Sequence, residues 1–269
     1  MRRTGEPLRE TAVAAGEYDE AYYTSCCAGY QEWLASGATG EAAVFPVILE
    51  RSGFQAGMAV CDIGAGRGEL VALAAQRGAS VSIGVEYAPA AVVMAHETVR
   101  RREVADRALV VQADARQLPV PDASIDRVFM LDVIEHLAPP ELSQTLREAH
   151  RVLRPGGKLI GHTFPTSTIY NVTYRALRAG SRLTGTAWPA DPRNEFEHRM
   201  HVNEQNRSRL RLSLWRAGFR RADVHFGEWM YTDFLPHPKA RALYHRLARH
   251  KLTAPLSVAD LWVYTDKRS

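Results

Sequence analysis

A doubly wound α/β fold is predicted by this sequence, and three observations carry that prediction. From Met58 onward, short β-branched apolar runs alternate with longer helix-like stretches. The short runs are apolar at successive positions, as strands covered on both faces are, instead of polar at every second residue. Finally, CDIGAGRGEL (61–70) places three glycines at alternate positions between the first such run and the helix-like stretch after it, where folds of this kind bring bare backbone to a ligand.

The elements follow in order. MAVCDI leads into GELVALAAQRG, SVSIGVE into PAAVVMAHETVRR, and ALVVQAD is followed by SIDRVFML; PPELSQTLREAHRVL then precedes GKLIGHTF. Such alternation builds βαβ units and a parallel sheet. After Phe164 the rhythm breaks, and residues 165–200 read as an insertion holding one helix-like piece and a loop with Trp188-Pro189 and Asp191-Pro192. NEQNRSRLRLSLWRAGF resumes as an amphipathic helix ending at Gly218. ADVHFGEW and SVADLWVYT read as two final strands, separated by the basic segment PHPKARALYHRLARHKL (236–252). Ahead of the sheet, YDEAYYTSCCAGYQEWLA and GEAAVFPVILER are helical patterns. The expected organisation is an N-terminal helical lid (1–52), a ligand-binding core (53–164), a cap insertion (165–200), and the rest of the sheet (201–269) with its basic helical insertion.

Composition bounds the function. With 269 residues, 46% hydrophobic and 24% charged, the chain buries a substantial core as one enlarged domain. Residues 1–164 carry 16 basic and 21 acidic side chains, whereas 165–269 carry 18 and 9. A basic half of this kind serves nucleic acid, an anionic membrane, an acidic substrate or simply a solvated surface. Cys26, Cys27 and Cys61 form neither a disulfide framework nor a zinc-ligand spacing. No stretch approaches the roughly 18 apolar residues of a membrane span, and Met1-Arg2-Arg3 leads into no apolar leader core. A reduced, cytoplasmic protein without stable membrane insertion is expected.

In an open parallel sheet, ligands bind outside the carboxyl ends of the strands. The residues there are 62–68, Glu86-Tyr87, Asp114-Ala115, 131–136 and 162–165. Two ligands are compatible with the glycines. A nicotinamide dinucleotide calls for G-x-G-x-x-G, but the third glycine arrives early at Gly68 and Glu69 holds the expected place. A carboxylate beside a pyrophosphate is unfavourable, although Arg67 offsets part of the repulsion. S-adenosylmethionine has no phosphate, and a D-x-G-x-G-x-G loop lets backbone approach its amino-acid end while Asp62 faces the ammonium. Glu86, 20 residues after Gly66, suits the ribose hydroxyls of either.

The rest of the chain separates them. VCDIGAGRGEL, GVEYA, VVQADARQLPVPDASIDRVFMLDVIEHL and EAHRVLRPGGKLIGHTFP resemble, in order and spacing, the class I S-adenosylmethionine-dependent methyltransferases of the small-molecule type. The likeness covers about residues 55–165. It implies a Rossmann-like, seven-stranded, mostly parallel sheet with an antiparallel last strand. It implies that Asp62, Gly64 and Gly66 meet the methionine end, Glu86 the ribose, Tyr87 the adenine face, and Asp114 with Ala115 the adenine amino group. Leu131 and Asp132 are expected along the methionine portion.

Because LDVIEHL stands where base-methylating relatives carry Asn-Pro-Pro or Asp-Pro-Pro, a flipped-base or other nucleic-acid substrate is not expected. The insertion instead offers Tyr170, Tyr174, Trp188, Phe196, His198 and His201 as an aromatic cover, which suits a natural-product or sugar-derived metabolite. An acceptor with a lipid tail, reached through the basic segment and its Leu243 and Leu247, is the alternative. A nicotinamide-dependent oxidoreductase and a non-catalytic S-adenosylmethionine binder are the others. His136, first, and His198, second, are the expected base or orienting groups, for an oxygen nucleophile before nitrogen or carbon. No metal is expected, since H-x-x-H is here a poor match to known ligand patterns.

Overall fold

The computed structural model describes residues 13–25, 27, 29–181, 185, 188–227, 238–248, 250 and 252–268. In chain order, helices α1 (Glu20–Ser25), α2 (Tyr30–Ala35) and α3 (Val44–Arg51) precede strand β1 (Ala59–Ile63). Then come α4 (Glu69–Gln76), β2 (Val81–Glu86), α5 (Pro89–Arg101), β3 (Ala108–Gln112), β4 (Ile125–Leu131), α6 (Pro139–Val152) and β5 (Leu153–Thr163). The insertion holds a π-helical turn (Ile169–Tyr174), α7 (Arg175–Ser181) and α8 (Glu195–Met200). The chain closes with α9 (Arg207–Arg216), β6 (Asp223–Phe226), α10 (Pro238–Ala248), α11 (Ala254–Ser257) and β7 (Leu261–Asp266).

The seven strands lie in the order β3-β2-β1-β4-β5-β7-β6, parallel except for β7, which runs antiparallel to both β5 and β6. The order reverses between β1 and β4, and the loops at their carboxyl ends diverge there to leave a crevice. β5 begins at Leu153, earlier than the expected GKLIGHTF, while β7 starts only at Leu261 and β6 ends at Phe226. Residues 228–229 of the expected ADVHFGEW lie outside the described residues, as do Cys26 and residues 1–12, 236–237, 249 and 251.

Both sheet faces are covered, which is why the strands are apolar throughout. On one face Cys61, Ile63, Val128 and Met130 pack with Leu142 and Leu146 of α6 and Leu210 and Leu214 of α9. On the other, Val60, Phe129 and Ile160 pack with Leu70 and Leu73 of α4 and with Ile48 and Leu49 of α3. α4 meets α5 through Ala72, Ala75, Ala95 and Val99. Gly68, at φ +75°, allows this approach, since a Cβ there would stand 2.9 Å from that of Ala95. The N-terminal helices are fastened to the same body: Trp33 Nε1 donates to Thr98 Oγ1 at 2.8 Å, and Arg102 pairs with Glu41 at 2.6 Å. None of the helices among the described residues is long and apolar enough to cross a membrane.

Candidate active site

Outside the carboxyl ends of β1, β2, β3 and β4 lies a cavity of about 960 Å³. All nine positions singled out for the cofactor, Asp62, Gly64, Gly66, Glu86, Tyr87, Asp114, Ala115, Leu131 and Asp132, line it. Gly64 and Gly66 adopt φ +76° and +51°, a left-handed backbone that glycine takes at no steric cost. A Cβ on Gly66 would point into open space, so its bare backbone faces the cavity.

Glu86 organises this end. Its Oε2 accepts from Gly66 N at 2.8 Å, and its Oε1 accepts from Tyr87 N at 2.7 Å and Ala88 N at 2.8 Å. Burial pushes its carboxyl up, and the backbone donors pull it back. Burial, with Glu86 as second cause, holds the Asp62 carboxyl well above its ordinary range. Two buried acids that resist ionisation at one cavity wall fit a ligand bringing positive charge. Glu69, the residue that weakened the dinucleotide reading, turns to Arg67 (2.8 Å) and accepts from Ala42 N. At the β3 end, Asp114 is gripped by Arg116 through both carboxylate oxygens.

A second polar group lies across the cavity. His162, at the end of β5, meets Asp132 Oδ1 with Nδ1 at 2.6 Å and Asp260 Oδ2 with Nε2 at 3.2 Å, and Trp262 Nε1 donates to the same Asp260 oxygen. Burial opposes charge on this ring, but the flanking carboxylates outweigh it and raise its pKa to about 10. The clamp's contribution to stability is therefore complete below the unfolded value of about 6.5 and is lost as pH rises through the folded one. His162→Gln is expected to melt below the wild type, with the gap narrowing between pH 6.5 and pH 10. A gap that stays constant over that window would mean the ring carries no proton.

Beside the clamp stand Glu135, His136 and His201. Glu135 is 1% exposed, accepts from Thr163 Oγ1 at 2.7 Å, and is raised by burial and Asp132 to about 8. Burial and then His201 lower His136 to about 3, and burial with Arg193, against Asp132, lowers His201 to about 4, so both imidazoles are neutral at ordinary pH. Their rings meet edge-on, with centroids 5.0 Å apart.

His198 does not join them. It is half exposed, with Nε2 3.6 Å from Asp191, and is not among the residues lining the cavity. Residues three apart on a single short helix diverge by about a sixth of a turn, and α8 ends at Met200, so the chain has left the helix when it delivers His201. The expected aromatic cover is corrected in the same way. Phe196 lines the cavity, but Tyr170 and Tyr174 are buried within the insertion, their hydroxyls donating to Glu197 and to the Pro189 carbonyl, and Trp188 packs on Tyr174. Tyr18, Tyr22 and Tyr23 line the cavity instead. Tyr18 packs edge-on against His136 and Tyr22 against Phe196. Their i, i+4, i+5 spacing at the chain's amino end was the available signal. No described residue of α10 lines the cavity.

Residues 61–161 match the family model described as a methyltransferase domain. Over 105 residues, 39% of this chain and 38% of the relative, the sequence is 37% identical to the 27-O-demethylrifamycin SV methyltransferase of Amycolatopsis mediterranei. Over 113 residues, 42% of this chain and 40% of the relative, it is 38% identical to the methyltransferase GfsG of Streptomyces halstedii. These alignments span about two fifths of the curated relatives' own length. The fold is that of the Haemonchus contortus phosphoethanolamine N-methyltransferase 2 solved with S-adenosyl-L-methionine, with a TM-score of 0.65 at 20% identity over 95% of this chain and 60% of that one. The sheet order and the glycine loop agree with the methyltransferase-domain match over residues 61–161.

Proposed function

We propose that the protein methylates a hydroxyl of a small or medium-sized metabolite, of natural-product or sugar-derived kind, with residues 1–52 and 165–200 as the cover of its site. The observation that carries this reading is a single cavity with a cofactor end, built by the glycine loop and Glu86, and an aromatic and histidine-lined end formed by Tyr18, Tyr22, Phe196, His136 and His201. The relative named 27-O-demethylrifamycin SV methyltransferase supports a small-molecule acceptor methylated on oxygen.

S-adenosylmethionine, when bound, supplies an electrophilic methyl group on a sulfonium. Asp62 and the Gly64 and Gly66 backbone hold its amino-acid end, Glu86 takes the ribose hydroxyls, Tyr87 flanks the adenine, and Asp114 with Ala115 borders the adenine amino group. Leu131 and Asp132 lie along the methionine portion. With that methyl already activated, the tasks left to the chain are alignment and water exclusion. His136 positions the acceptor: a ring lowered to about 3 is a weak base near neutral pH but keeps a neutral lone pair at the acceptor end. The tyrosines of the first helix and Phe196 shut out water.

Calorimetry is expected to show binding of S-adenosylhomocysteine and none of NAD. An acceptor panel followed by mass spectrometry is expected to give a product heavier by one methylene. Binding of NAD with no binding of S-adenosylhomocysteine would end this reading. With the acceptor known, His136→Ala is expected to lower kcat by about 100-fold, the scale of a misplaced nucleophile, and to leave S-adenosylhomocysteine affinity within a few-fold of wild type.

A further inference from the structure

We propose that Glu135, His136 and His201 form a binding site for one divalent transition-metal ion of the zinc class, facing the acceptor end of the cavity. In sequence the H-x-x-H pair, His198 and His201, is a poor match to known ligand patterns. The fold removes that objection by bringing the segment after β4 to His201, just beyond the end of α8. One ligand atom from each of the three side chains lies within 4.8 Å of the others. A tetrahedral site with bonds of about 2.0–2.1 Å would bring these atoms to separations of roughly 3.3 Å.

The donor atoms are prepared for such an ion. His136 and His201 each bury an Nδ1 that has no hydrogen-bond partner, a cost unless something occupies the lone pair. His136 is hydrogen-bonded to the Met200 backbone, which fixes the tautomer and leaves Nδ1 as the free lone pair. Glu135 is oriented by Thr163 Oγ1 and by Phe164 N. Ligating imidazoles and carboxylates are held by this kind of outer hydrogen bonding. Two nitrogens and one carboxylate favour zinc, cobalt, iron or nickel over magnesium or calcium. Three protein ligands leave a position open towards the cavity that these same residues line. An acceptor hydroxyl held there would have its pKa lowered and would give its proton to water on entering, before the cover closes, and its oxygen pair would then form the bond to carbon as the carbon–sulfur pair returns to sulfur.

The catalytic consequence rests on the proposed methyl transfer, whereas metal binding is tested without it. The full chain, stripped with a chelator, is titrated with Zn²⁺ by calorimetry and with Co²⁺ by visible absorption, and S-adenosylhomocysteine affinity is measured on the same preparations. One equivalent of each metal is expected, with a cobalt d–d spectrum of low coordination number. His201→Ala is expected to weaken binding by more than 100-fold, beyond the 10–100-fold typical of outer-shell changes, and His198→Ala to leave it unchanged. Glu135→Gln, which can keep an acceptor for Thr163, is the second variant should His201→Ala misfold, and is expected to lose metal as well. Absence of stoichiometric binding, or wild-type affinity in a folded His201→Ala or Glu135→Gln protein, overturns the proposal. Loss of S-adenosylhomocysteine binding alone overturns the methyltransferase reading and leaves the metal site standing.

Discussion

Glu86→Ala is expected to weaken S-adenosylhomocysteine binding by about 10–150-fold and to destabilise the ligand-free protein at the same time. The binding loss corresponds to about 1.5–3 kcal/mol, the range for hydrogen bonds to a charged group. The stability loss has a separate origin. One buried carboxylate satisfies the backbone N–H groups of Gly66, Tyr87 and Ala88, and each donor left unsatisfied costs about 1–3 kcal/mol unless cavity water reaches it. Glu86 therefore binds the glycine loop to the end of β2 before any ligand arrives. Glu86→Gln keeps the side-chain shape but only one acceptor oxygen, so its stability should fall between the two. Calorimetry for affinity and a thermal melt without ligand separate the effects. A folded Glu86→Ala protein with unchanged affinity would remove Glu86 from the cofactor site.

Gly64→Ala is expected to cost about 2–5 kcal/mol of folding stability, from two sources that can be told apart. A left-handed conformation costs a non-glycine residue about 1–2 kcal/mol, and Gly64 sits at φ +76°. The new methyl would also fall inside hard contact with Val133 Cγ2, and overpacking of this kind costs about 1–3 kcal/mol. Val133→Ala in the same chain should recover the second part and leave the first. Urea unfolding of the two single variants and the double variant completes the cycle. Strict additivity would show that the loop and the segment after β4 are not packed together, and would separate the cofactor end of the cavity from the acceptor end.

The fold was legible because its signals are local and repeated. Apolar runs with no polar alternation require cover on both faces, and that requirement alone implies strands between helices. PAAVVMAHETVRR became α5 without the loss of a residue, from Pro89 to Arg101. The strand-end positions expected for a cofactor come together for a related reason. In a parallel sheet the functional residues follow strand ends, so finding β1 to β4 finds Asp62, Glu86, Asp114 and Asp132, and the fold carries them to one cavity.

The acceptor side depended on the tertiary structure. Whether a histidine in a short helix faces a cavity or an outer carboxylate depends on where that helix ends and what lies against it. Thus His198 meets Asp191, while His201, beyond the end of α8, reaches His136. Glu135 sits inside LDVIEHL as one more acid; its burial under Thr163, and its place beside two histidines, arise only when β4, β5 and the insertion converge. His162 is a strand-end residue in sequence, but the charge it holds is set first by Asp132, 30 positions away, and then by Asp260, 98 positions away. The sequence by itself determined the sheet, its order of elements and the glycine loop after β1, because hydrophobic period and glycine placement act over a few residues. Only the tertiary structure decided which side chains face the acceptor and in which protonation state, because burial and the electrostatics of neighbouring charges are set by contacts between segments far apart in the chain.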